Sequence, residues 1–314
     1  MDVDGQDGPQ GAWRCAVWAR EAAVDPIGTA ASADGWLLLD WPLPWPRDVA
    51  EVAALQPLRA ALAGSGIRLQ LVVTRPDDER RTVVLHDRPA DPGGWFGGFR
   101  RRARSVAPAE LIATAVELVA GRDDGLAPST DLPPAPLDLL VCGHGSRDRC
   151  CGSLGTALAL ASVAEGLAVR RTSHTGGHRF APTGLVLPQG TSWAFLDEGL
   201  VRQIATASGP LGPLLAHYRG SVAFPTPELQ AAEREAFAVV GWSWLQHRRR
   251  ARTLGDGRVR VDSSDPSGHR RSWVVEVTRG RVQPVPECGA DPATAVKSAR
   301  EVVVSSVEET DPAS

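Results

Sequence analysis

Cysteine and histidine residues are concentrated in one short stretch of the chain, between Cys142 and His178. These 37 positions hold three of the five cysteines and three of the seven histidines. The stretch reads Cys142-Gly-His-Gly-Ser-Arg-Asp-Arg-Cys150-Cys151-Gly and, after an interval, His174-Thr-Gly-Gly-His178. Thiolates and imidazoles together are the ligands of zinc, copper and iron–sulfur centres. The stretch therefore predicts a metal or cluster site.

The spacing of the candidate ligands bears on which kind of metal site is present, but it does not decide between a zinc site and an iron–sulfur cluster. Cys142 and Cys151 are nine positions apart, whereas the thiolates of a zinc finger are typically about two to four residues apart. The spacing of His174 and His178 does fit a zinc site, but a loop that carries both cysteines can also surround a two-iron cluster. A structural zinc site and a thiol enzyme that uses Cys150 or Cys151 remain as alternatives.

Small and charged residues around these positions are candidates for contacts to the same site. Glycines allow the backbone to approach inorganic sulfide closely and to direct N–H groups at it. The candidates of this kind are Gly143, Gly152, Gly176 and Gly177. Arg147 and Asp148 are candidates for positioning the ligands, with a surface ion pair as the equal alternative.

Composition excludes several classes of partner. A net charge of -3 and a sequence pI near 6.2 give no overall attraction to nucleic acid or to anionic lipid. The arginine clusters at 100–104 and 248–252 are interpreted as solvated helix ends. No apolar run approaches the length of a membrane span, and five cysteines, with Cys15 and Cys288 isolated, do not suggest a disulfide framework. We therefore expect a cytoplasmic protein without nucleic-acid or membrane partners.

Hydrophobic periodicity predicts an α/β protein whose two halves have a similar order of elements. The first half reads as a strand, a helix, two strands and a helix. The second half reads as a strand, a helix, a strand, a hairpin and a helix, which is the order of a thioredoxin-like domain. The first half is compatible with a degenerate copy of the second, and its Trp41–Trp45 loop is the expected exposed patch. The predicted segments are a disordered leader at 1–11, an α/β domain without metal at 12–121, a Pro-rich linker at 122–136, a thioredoxin-like domain at 137–220, and a helix with small antiparallel strands at 221–314.

The central motifs resemble those of the sucrase/ferredoxin-like family of thioredoxin-like [2Fe-2S] proteins. The resemblance rests on the two cysteine and histidine motifs above, on Phe180-Ala-Pro-Thr183 and on Leu187-Pro-Gln-Gly190, and it is most specific over residues 138–190. It implies a [2Fe-2S] cluster bound by Cys142, Cys151, His174 and His178, with Cys150 as the alternative to Cys151. It also implies electron transfer with an unknown redox partner protein rather than catalysis by the chain alone. Neither glycosidase activity nor a pair of carboxylates for it is predicted.

Overall fold

A computed structural model describes residues 13–123, 137–164 and 167–312. The predicted leader at 1–11 and positions 124–136 of the predicted linker lie outside these ranges, as do residues 165 and 166 of the helix predicted after Cys151.

The first half of the described chain forms a four-stranded arrangement with helices against it. After helix α1 (Cys15–Glu21) come β1 (Gly35–Pro42), α2 (Gln56–Leu62), β2 (Ile67–Thr74), β3 (Arg81–Asp87), β4 (Arg100–Val106) and α3 (Leu111–Ala120). Strand β1 pairs with β2 in parallel and with β3 antiparallel, and β3 pairs with β4 antiparallel. The spatial order is therefore β4-β3-β1-β2. Leucines of β1 are buried on both faces, which explains the unbroken apolar run at 37–39.

The second half repeats this topology. Its elements are β5 (Asp138–Cys142), a wide π-helical turn (Cys151–Gly155) that continues into α4 (Thr156–Ala164), β6 (Val169–Thr172), β7 (Gly184–Leu187), β8 (Thr191–Trp193) and α5 (Glu198–Thr206). Strand β5 pairs with β6 in parallel and with β7 antiparallel, and β7 pairs with β8 antiparallel. After α6 (Leu211–Leu215), strand β9 (Tyr218–Ser221) extends this edge. The predicted α/β class is confirmed, and the mixed sheet is consistent with a thioredoxin-like fold. The predicted order of elements is confirmed in the second half, whereas in the first half the structure adds β4, which the sequence did not predict.

The two halves are joined edge to edge into one sheet. Strands β2 and β6 pair antiparallel at Val72 and Thr172. The Ser173 amide donates to the Leu71 carbonyl at 2.8 Å, and the Leu71 amide donates to the Ser173 hydroxyl at 3.0 Å. Over the described residues the result is a nine-stranded mixed sheet, in the order β4-β3-β1-β2-β6-β5-β7-β8-β9.

The C-terminal segment consists of a long helix and a second, antiparallel sheet. Helix α7 (Pro227–Val240) begins at Thr226, whose hydroxyl accepts from the Leu229 amide. It packs against the sheet of β10 (Arg248–Gly255), β11 (Arg258–Ser264), β12 (Arg270–Pro284) and β13 (Ser298–Thr310). Trp244 and Trp273 are fully buried in the shared core. Among the described helices, none is both long enough and apolar enough to cross a bilayer.

Two expectations from the sequence are wrong. The arginine clusters are not helix ends, because residues 100–104 belong to β4 and residues 248–252 to β10. The Trp41–Trp45 loop is not an exposed patch either. Trp45 is buried, its indole N–H donates to the Trp41 carbonyl, and its ring packs edge-on against His144. This loop therefore packs against the segment that follows β5.

Candidate metal centre

Cys142 is placed by the end of a fully buried strand. It is the last residue of β5, and its amide donates to the Thr183 carbonyl at 3.0 Å. The chain then turns, with the amides of Arg147 and Asp148 directed at the His144 carbonyl, and enters the π-helical turn at Cys151. The Asp148 carboxylate accepts from the Cys151 amide at 3.1 Å, as a capping side chain does at the start of a helix. Local turns of this kind therefore return Cys151 to the end of β5.

Glycines make this return possible through close backbone packing. A side chain at Gly155 would overlap the Cys142 carbonyl oxygen, and a side chain at Gly152 would overlap the backbone of Gly145. At Gly143 an added Cβ would meet the side chain of Arg171 at 2.6 Å. The glycines predicted at 143 and 152 are thus required by space between neighbouring segments, which brings the two cysteines together.

The histidine loop is shaped by two left-handed glycines and one buried arginine. Gly176 and Gly177 have φ values of 85° and 69°, a region that favours glycine. Arg219, on β9, donates to the Gly176 carbonyl and to the Ser192 hydroxyl, both at 3.2 Å. Burial lowers the pKa of Arg219 to about 10, while the nearby sulfurs of Cys142 and Cys151 act in the opposite direction. A buried guanidinium therefore holds the loop that carries His174 and His178.

The first group of candidate ligands consists of Cys142, Cys151 and His174. One ligand atom from each lies within 4.8 Å of the others, and His174 Nδ1 is 3.8 Å from Cys142 Sγ. The hydrogen bond from Cys151, together with His174, holds the pKa of Cys142 well below its usual range in spite of burial. The same hydrogen bond and burial raise the pKa of Cys151. Cys142 is therefore the thiolate of this group, the form that binds a metal.

His178, the fourth predicted ligand, lies beside the first group with one nitrogen directed elsewhere. Its ring centroid is 6.2 Å from that of His174. Its Nδ1 is 3.4 Å from both Cys15 Sγ and the Asp148 carboxylate. Of the two ring nitrogens of His178, Nε2 is therefore the one without such a contact to Cys15 or Asp148.

Cys15 and Cys288, expected to be isolated, form a second group with Cys150 and Asp148. Cys288 Sγ is 3.4 Å from Cys15 Sγ and 3.3 Å from Cys150 Sγ. Cys15 Sγ is 3.5 Å from the buried carboxylate of Asp148. Hydrogen bonds from Cys15 and Cys288 lower the pKa of Cys150 to about 3, and the pKa of Cys15 is raised by its bond to Cys150. The adjacent cysteines 150 and 151 thus face different groups.

His144 positions the histidine loop. Its Nε2 donates to the Pro46 carbonyl at 2.9 Å, and its Nδ1 accepts from the His174 amide at 3.2 Å. Both ring nitrogens are occupied in this way, and burial lowers the pKa of His144, so the ring is neutral. The sequence brought His144 to attention through the Cys-Gly-His triplet, but its partners at Pro46 and His174 are not adjacent in sequence.

A surface cavity of about 420 Å³ borders the second group and His178. His178, Asp148 and Cys288 form part of its wall, and the His178 side chain is 21% exposed. The cationic residues of the wall are Arg47, Arg147, Arg149 and Lys297. Of the predicted positioning residues, Asp148 is therefore buried at the ligands and Arg147 is exposed at the entrance.

These features define an α/β protein with a buried group of thiol and imidazole side chains that can bind a metal. The chain belongs to the sucrase/ferredoxin-like family, because it matches the sequence model of that family over residues 26–220, more than half of its length. This confirms the family that the sequence motifs suggested. No curated protein and no solved structure gave a match.

Proposed function

We propose that this protein binds a [2Fe-2S] cluster through Cys142, Cys151, His174 and His178 and acts as an electron carrier. The observation that supports this most is the convergence of Cys142, Cys151 and His174 at the end of β5, with His178 in the same loop. Thiol and imidazole ligands together suit an iron–sulfur centre. A cluster in this place would supply one-electron transfer.

The surrounding residues favour a carrier over a thiol enzyme. The two cysteines of the first group and Cys150 are almost completely buried, whereas a catalytic thiolate must reach its substrate. Of the four proposed ligands, His178 is the one that lines the cavity, and its side chain is 21% exposed. We infer that a redox partner approaches here, where a proposed ligand is accessible from the cavity. The chain's own contributions are then to exclude water, to fix both cysteines and to hold the histidine loop through Arg219 and His144.

The predicted domain division also remains a proposal. The half at 12–121 is proposed to support the site at 137–220 rather than to bind a cluster of its own. In the described ranges its contributions are contacts, such as the Gln70 amide donating to the His174 carbonyl at 3.4 Å.

The test is the iron and sulfide content of protein purified without oxygen. We expect two irons and two sulfides per chain, as the cluster formula requires, and a visible absorption spectrum. Cys142→Ser, Cys151→Ser, His174→Ala and His178→Ala should each lose most of the iron, because each removes one proposed ligand.

Two variants serve as matched controls for these changes. Cys150→Ser removes the thiol next to Cys151, and His269→Ala removes an exposed histidine. Both should keep the iron. Iron retained in Cys151→Ser but lost in Cys150→Ser would move the second ligand by one position, and a colourless protein with zinc at the first group would refute the electron-carrier proposal.

A further inference from the structure

Three cysteines from distant parts of the sequence meet at one point beside the proposed cluster site. Cys15 begins α1, Cys150 precedes the π-helical turn, and Cys288 lies in the segment after β12. Cys15 and Cys288 are 273 positions apart. Neither of these two lies within residues 26–220, the part of the chain that matches the family. Two of the three thiols that meet here therefore come from outside the matched region.

The three thiols share their position with a buried carboxylate. The ligand atoms of Cys15, Cys150, Cys288 and Asp148 all lie within 4.8 Å of one another. The side chain of Asp148 is 5% exposed, and its oxygens contact the Cys15 thiol, the Cys151 amide and His178. A carboxylate can remain ionised in a buried place when it is paired or when it coordinates a metal.

We propose that Cys15, Cys150, Cys288 and Asp148 form a second metal site that binds a single zinc ion. Zinc in structural sites is tetrahedral, with thiolate and carboxylate among its ordinary ligands. At a zinc–sulfur distance of about 2.3 Å, two thiolates on a tetrahedral ion lie about 3.8 Å apart. The observed sulfur separations of 3.3 and 3.4 Å need to open by only a few tenths of an ångström.

Other occupants fit the same four groups less well. A four-iron cluster binds each thiolate to a different iron, which would separate the sulfurs rather than leave them in contact. Copper(I) prefers soft ligands and would leave the Asp148 carboxylate unused. A disulfide would join two of the three sulfurs and leave the third thiol beside the carboxylate, whereas a tetrahedral ion uses all four side chains.

Charge around the site is consistent with a bound dication. Three thiolates and a carboxylate carry four negative charges, so a zinc ion would leave two. The nearby cavity wall supplies cationic side chains from Arg47, Arg147, Arg149 and Lys297. Such side chains stabilise a net negative centre at close range.

The ion would join three segments that are distant from one another in the sequence. Gly289, next to Cys288, donates its amide to the Trp13 carbonyl at 2.9 Å, so the two terminal segments already meet there. Cys150 and Asp148 belong to the loop that places Cys151. Zinc bound at this point would therefore hold the two terminal segments together beside that loop, a structural role in which binding contributes directly to folding.

The test is the zinc content of the full chain, measured by mass spectrometry of the metals together with iron. We expect one zinc per chain in addition to the iron, and zinc absorption-edge spectra with three sulfurs near 2.3 Å and one oxygen at about 2.0–2.2 Å. Cys288→Ser should lose the zinc and keep the iron, because Cys288 contacts cysteines of the second group and not those of the first. Glu287→Gln, a change in the same turn that removes no ligand, should keep both metals.

Asp148→Asn gives an independent reading of the fourth ligand. The asparagine carbonyl can still accept from the Cys151 amide, but the anionic ligand is lost. We expect zinc to bind at least about tenfold more weakly in competition with a chromophoric chelator.

The outcomes separate this proposal from that of an iron–sulfur cluster. Loss of zinc in Cys288→Ser supports the second site even in a protein without iron. A chain that takes up no zinc when incubated with equimolar Zn²⁺, or that keeps its zinc in Cys288→Ser, overturns the proposal. If Cys288→Ser does not fold, wild-type spectra decide: two sulfurs and two nitrogens around zinc would assign the ion to the first group and refute the second site.

Discussion

Single residues decide the electrostatics of the candidate site, and Arg219 is the clearest case. Its guanidinium is fully buried, contacts the histidine loop and is close enough to Cys142 and Cys151 for their charges to affect its pKa. A buried positive charge favours the form of a nearby centre that carries one more electron. We therefore expect Arg219 to hold the histidine loop and to raise the reduction potential of the proposed cluster.

We predict that Arg219→Gln lowers the midpoint potential of the bound cluster by roughly 60 mV, the tenfold step of a one-electron couple. Arg219→Lys keeps the charge and is the matched control. A redox titration of both variants, with iron content measured in parallel, distinguishes the effect of the lost charge from the effect of a disordered histidine loop. An equal shift in the two variants would show that the charge is not the cause.

For single residues, the sequence predicted ligands that lie close together along the chain and missed contacts between residues that are far apart in sequence. The density of cysteine and histidine between Cys142 and His178 indicated a metal site, and the structure brings together three of the four ligands that the family resemblance implied. Cys15 and Cys288 were interpreted as isolated because nothing in the sequence relates residues 273 positions apart. Tyr218-Arg-Gly220 also resembles the family, but nothing in the sequence assigned Arg219 a role, because its contact with the histidine loop depends on the position of β9 in the sheet.

At the scale of elements, buried ion pairs explain why one strand was misread. Strand β4 contains Arg100, Arg101 and Arg102. Arg100 pairs with Asp87 at 2.5 Å, and Arg101 pairs with Asp138 at 3.2 Å. A run of arginines normally indicates a solvated segment, but here the partners come from β3 and β5. Only the tertiary fold supplies these partners, so propensity alone could not identify the strand.

The same network makes stability depend on pH through His86. His86 Nε2 donates to the Asp138 carboxylate at 2.8 Å, next to Arg101 and Arg170. Burial alone would raise the pKa of Asp138, but the hydrogen bond from His86 and the two arginines hold that pKa below its usual range. Burial lowers the pKa of His86. The folded state thus contains an ionised Asp138 and a neutral His86.

We predict that the free energy of unfolding decreases as pH falls from about 7 to 5, through the ordinary imidazole pKa of about 6.5. The unfolded chain then takes up a proton at His86 that the folded chain does not, and stability rises with pH wherever the unfolded state binds more protons. His86→Gln can still donate to Asp138 and should make the dependence less steep. Urea unfolding at several pH values provides the measurement. An equal change of slope in His269→Gln, at an exposed histidine, would contradict this assignment.

For the whole molecule, the two similar halves differ in what their strand ends carry. Both halves have the order of a thioredoxin-like domain. Most of the cysteines and histidines in the two candidate groups nevertheless come from the second half, whereas the first half contributes Cys15. The second half alone does not complete the site, because Gln70 contacts the His174 carbonyl and Cys15 contacts His178. Apart from β4, the order of elements was predictable from periodicity, whereas the edge pairing of β2 with β6 was not, because it involves a single register pair.

The basic cavity beside His178 leads to a prediction about electron exchange. Charged walls raise the local concentration of ions of opposite sign, and such steering depends on ionic strength. We predict that Arg147→Glu combined with Lys297→Glu slows reduction by the anion dithionite roughly tenfold at low salt. Stopped-flow absorbance at several salt concentrations measures the rate. The control Arg270→Glu, which lies at a separate cavity, should leave the rate unchanged, and a similar loss there would refute local steering.

The position of Cys288 has a consequence for how the protein matures. During synthesis Cys15 emerges early, Cys150 follows, and Cys288 arrives only after most of the C-terminal sheet has been made. A nascent chain therefore cannot close the group of three thiols until β12 has left the ribosome. Shortened chains that stop before this point would keep Cys15 and Cys150 without their third thiol. Completion of this group thus distinguishes a chain made at least as far as Cys288 from one interrupted earlier.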